Sequence, residues 1–229
     1  MRGFATRKEK ATGCGRGNNY LPAVPTPPIA IVHLDESCLG NGREGDNPGG
    51  AGALVEVKIK SGIQRRDVTR HQPASTNNRM ALIGSTAVLQ VLGGKGTRMK
   101  VLMVSDSQYL IRGMREWVPG WIRRNWTRKG GPIENLELWQ ALVEAARAHD
   151  VQWTWVRGHA GHPKNEYAND LAVEAARNQG SAAGAAESGF VAWLEKKRGK
   201  KQYLDYDPDA AFLALERRLA AGDQIGIIE

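Results

Sequence analysis

The chain has 229 residues, 41% of them hydrophobic, and carries a formal net charge of +8 with a pI near 9.7. That length suits one well-buried domain with tails, and the basic balance favours a polyanionic partner, nucleic acid first among them. Cys14 and Cys38 are the only cysteines, which argues against a disulfide framework and suits a reducing compartment. No run approaches the roughly 18 apolar residues of a membrane helix, and the N-terminus lacks the apolar core of a secretory signal. We expect a cytoplasmic, monomeric protein with no membrane association.

Residues 1–28 are basic and end in Pro22, Pro25, Pro27 and Pro28, a stiff extended approach that cannot be helix. A disordered basic arm is the expected state there, with an organelle transit peptide as the alternative. Residues 29–34 are apolar and β-branched and predict a central strand. Residues 51–59 alternate, and 64–71 predict a third strand after the turn at Ser61-Gly62, so the three form a meander. Helical spacing over 78–92 stops at Gly93-Gly94. A strand over 99–104 and a helix over 107–117 follow, then a basic, tryptophan-rich segment to Lys129, which Gly130-Gly131-Pro132 ends. A helix over 133–148, a strand over 151–156 and a helix over 163–178 complete the order βββαβαβα, an α/β layout. Residues 179–188 turn to Gly, Ala and Ser and predict a flexible linker. Residues 189–229 form a helical extension with helices near 190–194 and 209–219, expected to pack back on the core or cap a sheet edge, with a partner-binding tail as the alternative.

Asp35 closes the first predicted strand and Asp106 the fourth, so if these strands are neighbours the two carboxylates meet at one edge. A lone Asp at a strand end is more often a turn or helix cap. A converging pair is what two-metal phosphodiester hydrolysis needs, because carboxylates must hold ions about 3.5–4 Å apart.

Five segments resemble ribonuclease H of the type 1, bacterial kind: Asp35-Glu36-Ser37, Thr76-Asn77-Asn78-Arg79-Met80, Ser105-Asp106-Ser107-Gln108-Tyr109, Arg157-Gly158-His159-Ala160-Gly161-His162-Pro163 and Asn165-Glu166-Tyr167-Ala168. The resemblance covers residues 29–178 and implies a five-stranded mixed sheet flanked by helices, with a basic handle. It also implies Mg²⁺- or Mn²⁺-dependent cleavage of the RNA strand in RNA/DNA hybrids. Two of the family's four carboxylates are replaced, by Ala81 and Asn169. The aligned set offers half the usual negative charge, so weaker metal binding is expected, and a hybrid-binding module with impaired hydrolysis is the alternative function. The resemblance implies that Asp35 bridges two ions, that Asp106 holds the first, that Asn169 or Asp170 helps hold the second, and that His159 moves protons.

Substitute acids are sought at Glu36, Glu44, Asp46 and Asp170. Adjacent side chains on a strand face opposite sides, so Glu36 is a poor substitute unless the strand bulges. Asp170 lies about 100° around the helix from Asn169 and would need a register shift. The acidic loop holding Glu44 and Asp46 is the better candidate. For substrate, Trp117, Trp121, Arg123, Arg124 and Trp126 resemble the handle. Asn41, Asn77, Asn78 and Gln108 match residues that read a minor groove and 2′-hydroxyls, and Thr76, Arg79 and Asn135 match or neighbour phosphate-binding positions.

Overall fold

The computed structural model describes residues 27–40, 47–94, 96–158, 160–182 and 184–228. Residues 1–26 of the arm expected over 1–28, and Asn41, Glu44, Asp46 and His159, lie outside them. Strands β1 (Ile29–Cys38), β2 (Gly49–Ile59) and β3 (Gly62–Gln72) form the antiparallel meander. Helix α1 (Asn77–Gly93) is capped by Thr76, whose hydroxyl accepts from Arg79 N, and crosses to β4 (Lys100–Ser105), which lies parallel to β1.

The segment predicted as one helix over 107–117 is α2 (Gln108–Arg112), a π-helical turn (Gly113–Trp117) and α3 (Val118–Arg123). Pro119 explains the break: it has no N–H for an i→i−4 bond and would clash with the carbonyl four residues back. The backbone widens just before it, and Val118 N reaches Gly113 O instead. Helix α4 (Leu136–Arg147) starts three residues later than predicted because Asn135 adopts a left-handed conformation, φ 55°. Strand β5 (Asp150–Val156) and helix α5 (Pro163–Asn178) follow.

The sheet has seven strands rather than five, in the order β6-β3-β2-β1-β4-β5-β7. The two extra strands, β6 (Ala186–Glu187) and β7 (Ile227–Ile228), come from the presumed linker and the extension, and extend the sheet beyond β3 and β5 respectively. The linker is also pinned: Arg70 donates to Ala182 O at 2.6 Å, and Ser181 Oγ accepts from His71 N at 2.8 Å.

Alternation along β1 divides the core. Ala30, Val32 and Leu34 face α1 and α4, whereas Ile31 joins Leu102, Val104 and Val156 on the other face. That second face is covered by α5 and by the extension helices α6 (Phe190–Arg198) and α7 (Pro208–Ala221). Phe212 and Leu219 of α7 and Phe190 of α6 are fully buried there, so the extension is part of the domain's core. No described helix is long and apolar enough to cross a membrane.

Candidate active site

The parallel register of β1 on β4 ends at the pair Leu34 and Ser105. Asp35 and Asp106 each stand one residue further on, where β4 has run out and β1 continues alone against β2. Asp35 shares its face with His33, which stacks on His162 at 5.2 Å, just ahead of α5. From α5, Asn165 Nδ2 donates to Asp35 Oδ2 at 3.2 Å, and Glu36 N donates to Asp35 Oδ1 at 2.7 Å. The Asp106 carbonyl accepts from Trp155 Nε1 at 3.1 Å, which ties its backbone to β5.

Glu36 joins this pair, correcting the expectation that it needs a bulge. One carboxylate oxygen from each of Asp35, Glu36 and Asp106 lies within 4.8 Å of the others. The β1–β2 register runs unbroken through Asp35↔Gly52, Glu36↔Ala51 and Ser37↔Gly50, so the strand is regular. Asp35 and Glu36 do leave opposite faces of β1. Because β4 has ended, no strand separates those faces, and the longer glutamate side chain reaches round to Asp106, hydrogen-bonded with Ser107. Its partner Ala51 lies under α1 at Gly84, so Glu36 enters from the α1 side, the side of Ala81. Ala81 itself is fully buried in the apolar core with no donor to offer.

Crowding shows in the electrostatics. Burial, then the charge of Asp106, pushes the Asp35 carboxyl up to about 8. Burial, then Asp35 and Asp106, holds Glu36 well above the ordinary carboxylate range. Burial and the Glu36 charge also push the Cys38 thiol up to about 11. A buried cluster that resists ionising this strongly is suited to a cation.

Glycines set the approach of the second wall. A Cβ on Gly50 or Gly52 would collide with the α5 backbone at Ala172 or Ala168, so these positions let the helix lie directly on β2. Asn169 then falls one helical turn after Asn165, on the same face and half-buried. Asp170, also expected near the metals, is turned away: it accepts from Trp193 Nε1 at 2.7 Å and lies 4.0 Å from Lys197 Nζ, both on α6. The 100° step around α5 is the reason. Gly158 packs against Asp106, where a Cβ would overlap Oδ2. Asn165 and Ser107 were not singled out from sequence, although Asn165 stands four residues before Asn169 and could have been found by helical spacing.

On the other flank, the half-buried Asn77 and Asn78 open α1, and the exposed Gln108 opens α2. Arg79 donates to Asn135 Oδ1 at 3.3 Å, and Asn135 Nδ2 donates to Tyr109 Oη at 3.2 Å, so Thr76, Arg79 and Asn135 form one polar corner between α1 and α4. Trp117 packs on Trp121 and Tyr109, and Trp121 on Trp139, while Trp126 is half-buried beside them. Arg112, Arg115, Arg123, Arg124, Arg128 and Lys129 are exposed around this aromatic core.

A family model described as RNase H matches residues 28–177. A ribonuclease H of Aromatoleum aromaticum is 43% identical over 156 residues, 66% of this chain and 94% of its own. One from Thiobacillus denitrificans is 41% identical over 148 residues, 64% of this chain and 93% of its own. Among solved structures, LC9-RNase H1, described as a type 1 RNase H with the type 2 active-site motif, matches with TM-score 0.69 and 54% identity, covering 74% of this chain and 82% of that one. A foamy viral protease-reverse transcriptase in complex with an RNA/DNA hybrid shares the fold at 13% identity and TM-score 0.54, over 75% of this chain and 23% of its own.

Proposed function

The chain belongs to the ribonuclease H family, and on that premise we propose that it is an active, metal-dependent endonuclease that cleaves the RNA strand of RNA/DNA hybrids, with Glu36 in place of the carboxylate lost at Ala81. The observation that carries this reading is the convergence of Asp35, Glu36 and Asp106. The 54% identical structure supports it, since that type 1 RNase H is described as having the type 2 active-site motif, so the type 1 scaffold there carries a different active-site motif.

The donor set is all oxygen, which fits Mg²⁺ or Mn²⁺ rather than a softer ion. Asp35, Glu36 and Asp106 would hold the ions, with the Asn169 amide as a neutral fourth donor. Bound there, the metals would activate water and stabilise the charged oxygens of the phosphodiester.

The chain's own groups orient and exclude. Asn165 fixes one Asp35 oxygen, the Glu36 N–H fixes the other, and Trp155 anchors the Asp106 backbone. Asn77, Asn78 and Gln108 are the groove-reading residues on the α1 flank, able to distinguish 2′-hydroxyls. The corner of Thr76, Arg79 and Asn135 takes a backbone phosphate, and Arg123 and Arg124 of the handle take others further along. His159, outside the described residues, is assigned proton transfer beside Gly158.

The test is cleavage of a labelled RNA/DNA hybrid in Mg²⁺ and in Mn²⁺. The parent cleaves, and Glu36→Gln and Asp106→Asn each lose more activity than the 10–100-fold typical of an outer-shell partner. Parental rates in Glu36→Gln would remove Glu36 from the site. A parent that binds hybrid tightly without cutting it, and gains activity as Ala81→Glu with Asn169→Asp, would make the chain a binding module.

A further inference from the structure

The extension carries a second basic surface. Residues 196–201 read Lys-Lys-Arg-Gly-Lys-Lys, five cations in six positions, at the C-terminal end of α6. Two are committed: Lys197 lies 4.0 Å from Asp170, and Arg198 bonds Glu195 at 2.6 Å and Tyr206 O at 2.6 Å. Lys196, Lys200 and Lys201 are exposed, and no carboxylate pairs with them among the described residues.

Cations near a helix C-terminus are ordinarily explained by the macrodipole, worth about 0.3–1 kcal/mol each within the last turn. That explanation does not extend to Lys200 and Lys201, which lie past the helix. Nor does it account for the rigid way this loop is built. Lys200 N, Lys201 N and Gln202 N bond back to Lys197 O, Arg198 O and Lys197 O. Lys201 and Tyr203 take left-handed conformations at φ 62° and 56°. Tyr203 stacks on Trp193 at 6.1 Å and hydrogen-bonds with Glu166 of α5.

That seat fixes the position of the charge. Glu166, which bonds Tyr203, and Asp170, which bonds Trp193, each follow by one residue Asn165, which bonds Asp35, and Asn169, one helical turn on. The loop is therefore seated on the flank of α5 that adjoins the flank facing the carboxylates. The handle packs with the α1–α4 face of the sheet, and α6 packs with the opposite face. The carboxylates stand at the sheet edge between them.

We infer that residues 196–201 form a second surface for the nucleic-acid backbone, gripping the duplex on the side of the cleavage site opposite the handle; this rests on the hybrid reading above. Its recognition is of phosphate charge alone, with no base or sugar preference.

Binding is measured on full-length Asp106→Asn protein, so that substrate persists, with a labelled RNA/DNA hybrid and a DNA duplex of the same length, from about 50 to 200 mM salt. Each phosphate contact contributes about 0.9 to the slope of log affinity against log salt. Added Lys196→Gln, Lys200→Gln and Lys201→Gln are expected to flatten the slope by up to about 3 on both duplexes, and the three Lys→Arg changes to preserve it. A parental slope in the Gln triple overturns the inference, as does an equal loss in the Arg triple. If hybrid binding persists and falls with Arg123→Gln and Arg124→Gln while the Lys triple has no effect, the second surface alone fails. If the Asp106→Asn protein does not bind hybrid at all, the functional reading falls with it.

Discussion

Replacing Asp35 with Asn should stabilise the metal-free protein while abolishing its chemistry. The Asp35 carboxyl titrates at about 8 against an ordinary 3.8, chiefly because it is buried and secondly because Asp106 faces it. Between those values the folded state holds a proton that the unfolded state has released. The stabilising contribution is complete below the unfolded value and is lost as pH rises through the folded one. At about 1.4 kcal/mol per pH unit, the ceiling on the stability so lost, relative to low pH, is about 4 kcal/mol at pH 7 and about 2 kcal/mol at pH 5. Glu36, itself raised in part by the charge of Asp35, is coupled to it, so the single-site figure falls below that ceiling.

The assay is urea unfolding in chelator at pH 5 and pH 7, parent against Asp35→Asn. The variant should be the more stable at both, by a clearly larger margin at pH 7. Saturating Mn²⁺ should narrow the gap, since a ligand at 100 times its Kd adds about 2.7 kcal/mol to the protein that binds it, and the variant would offer a neutral amide where the parent offers a carboxylate. A variant destabilised by the same amount at both pH values would refute the reasoning, because it would mean Asp35 is not held against its charge by burial and its neighbours.

Gly158→Ala should cut hybrid cleavage on the order of 10²-fold with little loss of stability, measured by steady-state kinetics beside thermal unfolding, because the new Cβ occupies the position of Asp106 Oδ2. Glu56 is fully buried between Lys164 at 2.6 Å and Arg65 at 2.9 Å, so Glu56→Ala leaves the buried Lys164 without a carboxylate, takes one of two from Arg65, and should cost about 3–5 kcal/mol in urea unfolding. Phe212→Ala in the extension should cost about 3–5 kcal/mol, since that ring is fully buried against the sheet. An effect under 1 kcal/mol on the same scale would make α7 a dispensable cover.

The order of elements was legible because the central strands carry apolar runs with β-branched residues and the long helices other than α4 end at Gly or a polar cap. Three boundaries were not. Pro119 was visible, but whether a helix answers it by stopping or by widening depends on what packs beside it, here Trp139 against Gly113. The late start of α4 follows from Asn135 leaving helical geometry to bond Tyr109, a partner 26 residues away. Residues 179–188 read as linker because small residues carry no strand signal. They are held instead through backbone groups and through Thr69, Arg70 and the backbone of His71 on β3, which composition does not reveal.

Glu36 shows where a correct local rule gives a wrong conclusion. Alternation holds, since Asp35 meets α5 and Glu36 meets the α1 side. The rule separates two side chains only while a neighbouring strand divides the faces, and β4 ends one pair before Asp35. At that terminus, facing opposite ways is the arrangement that brackets Asp106 from both sides. An acid on α1 must reach down to the sheet edge, whereas an acid on β1 reaches around it, and both arrive on the same side of Asp106. With Glu36 present, an acid at position 81 would add a fourth carboxyl to a cluster in which Asp35 and Glu36 are already driven towards protonation. Ala81→Glu alone should therefore lower the metal-free unfolding temperature, and should do so less in Glu36→Gln than in the parent. Equal losses in the two backgrounds would mean that positions 36 and 81 do not share the space Asp106 looks into.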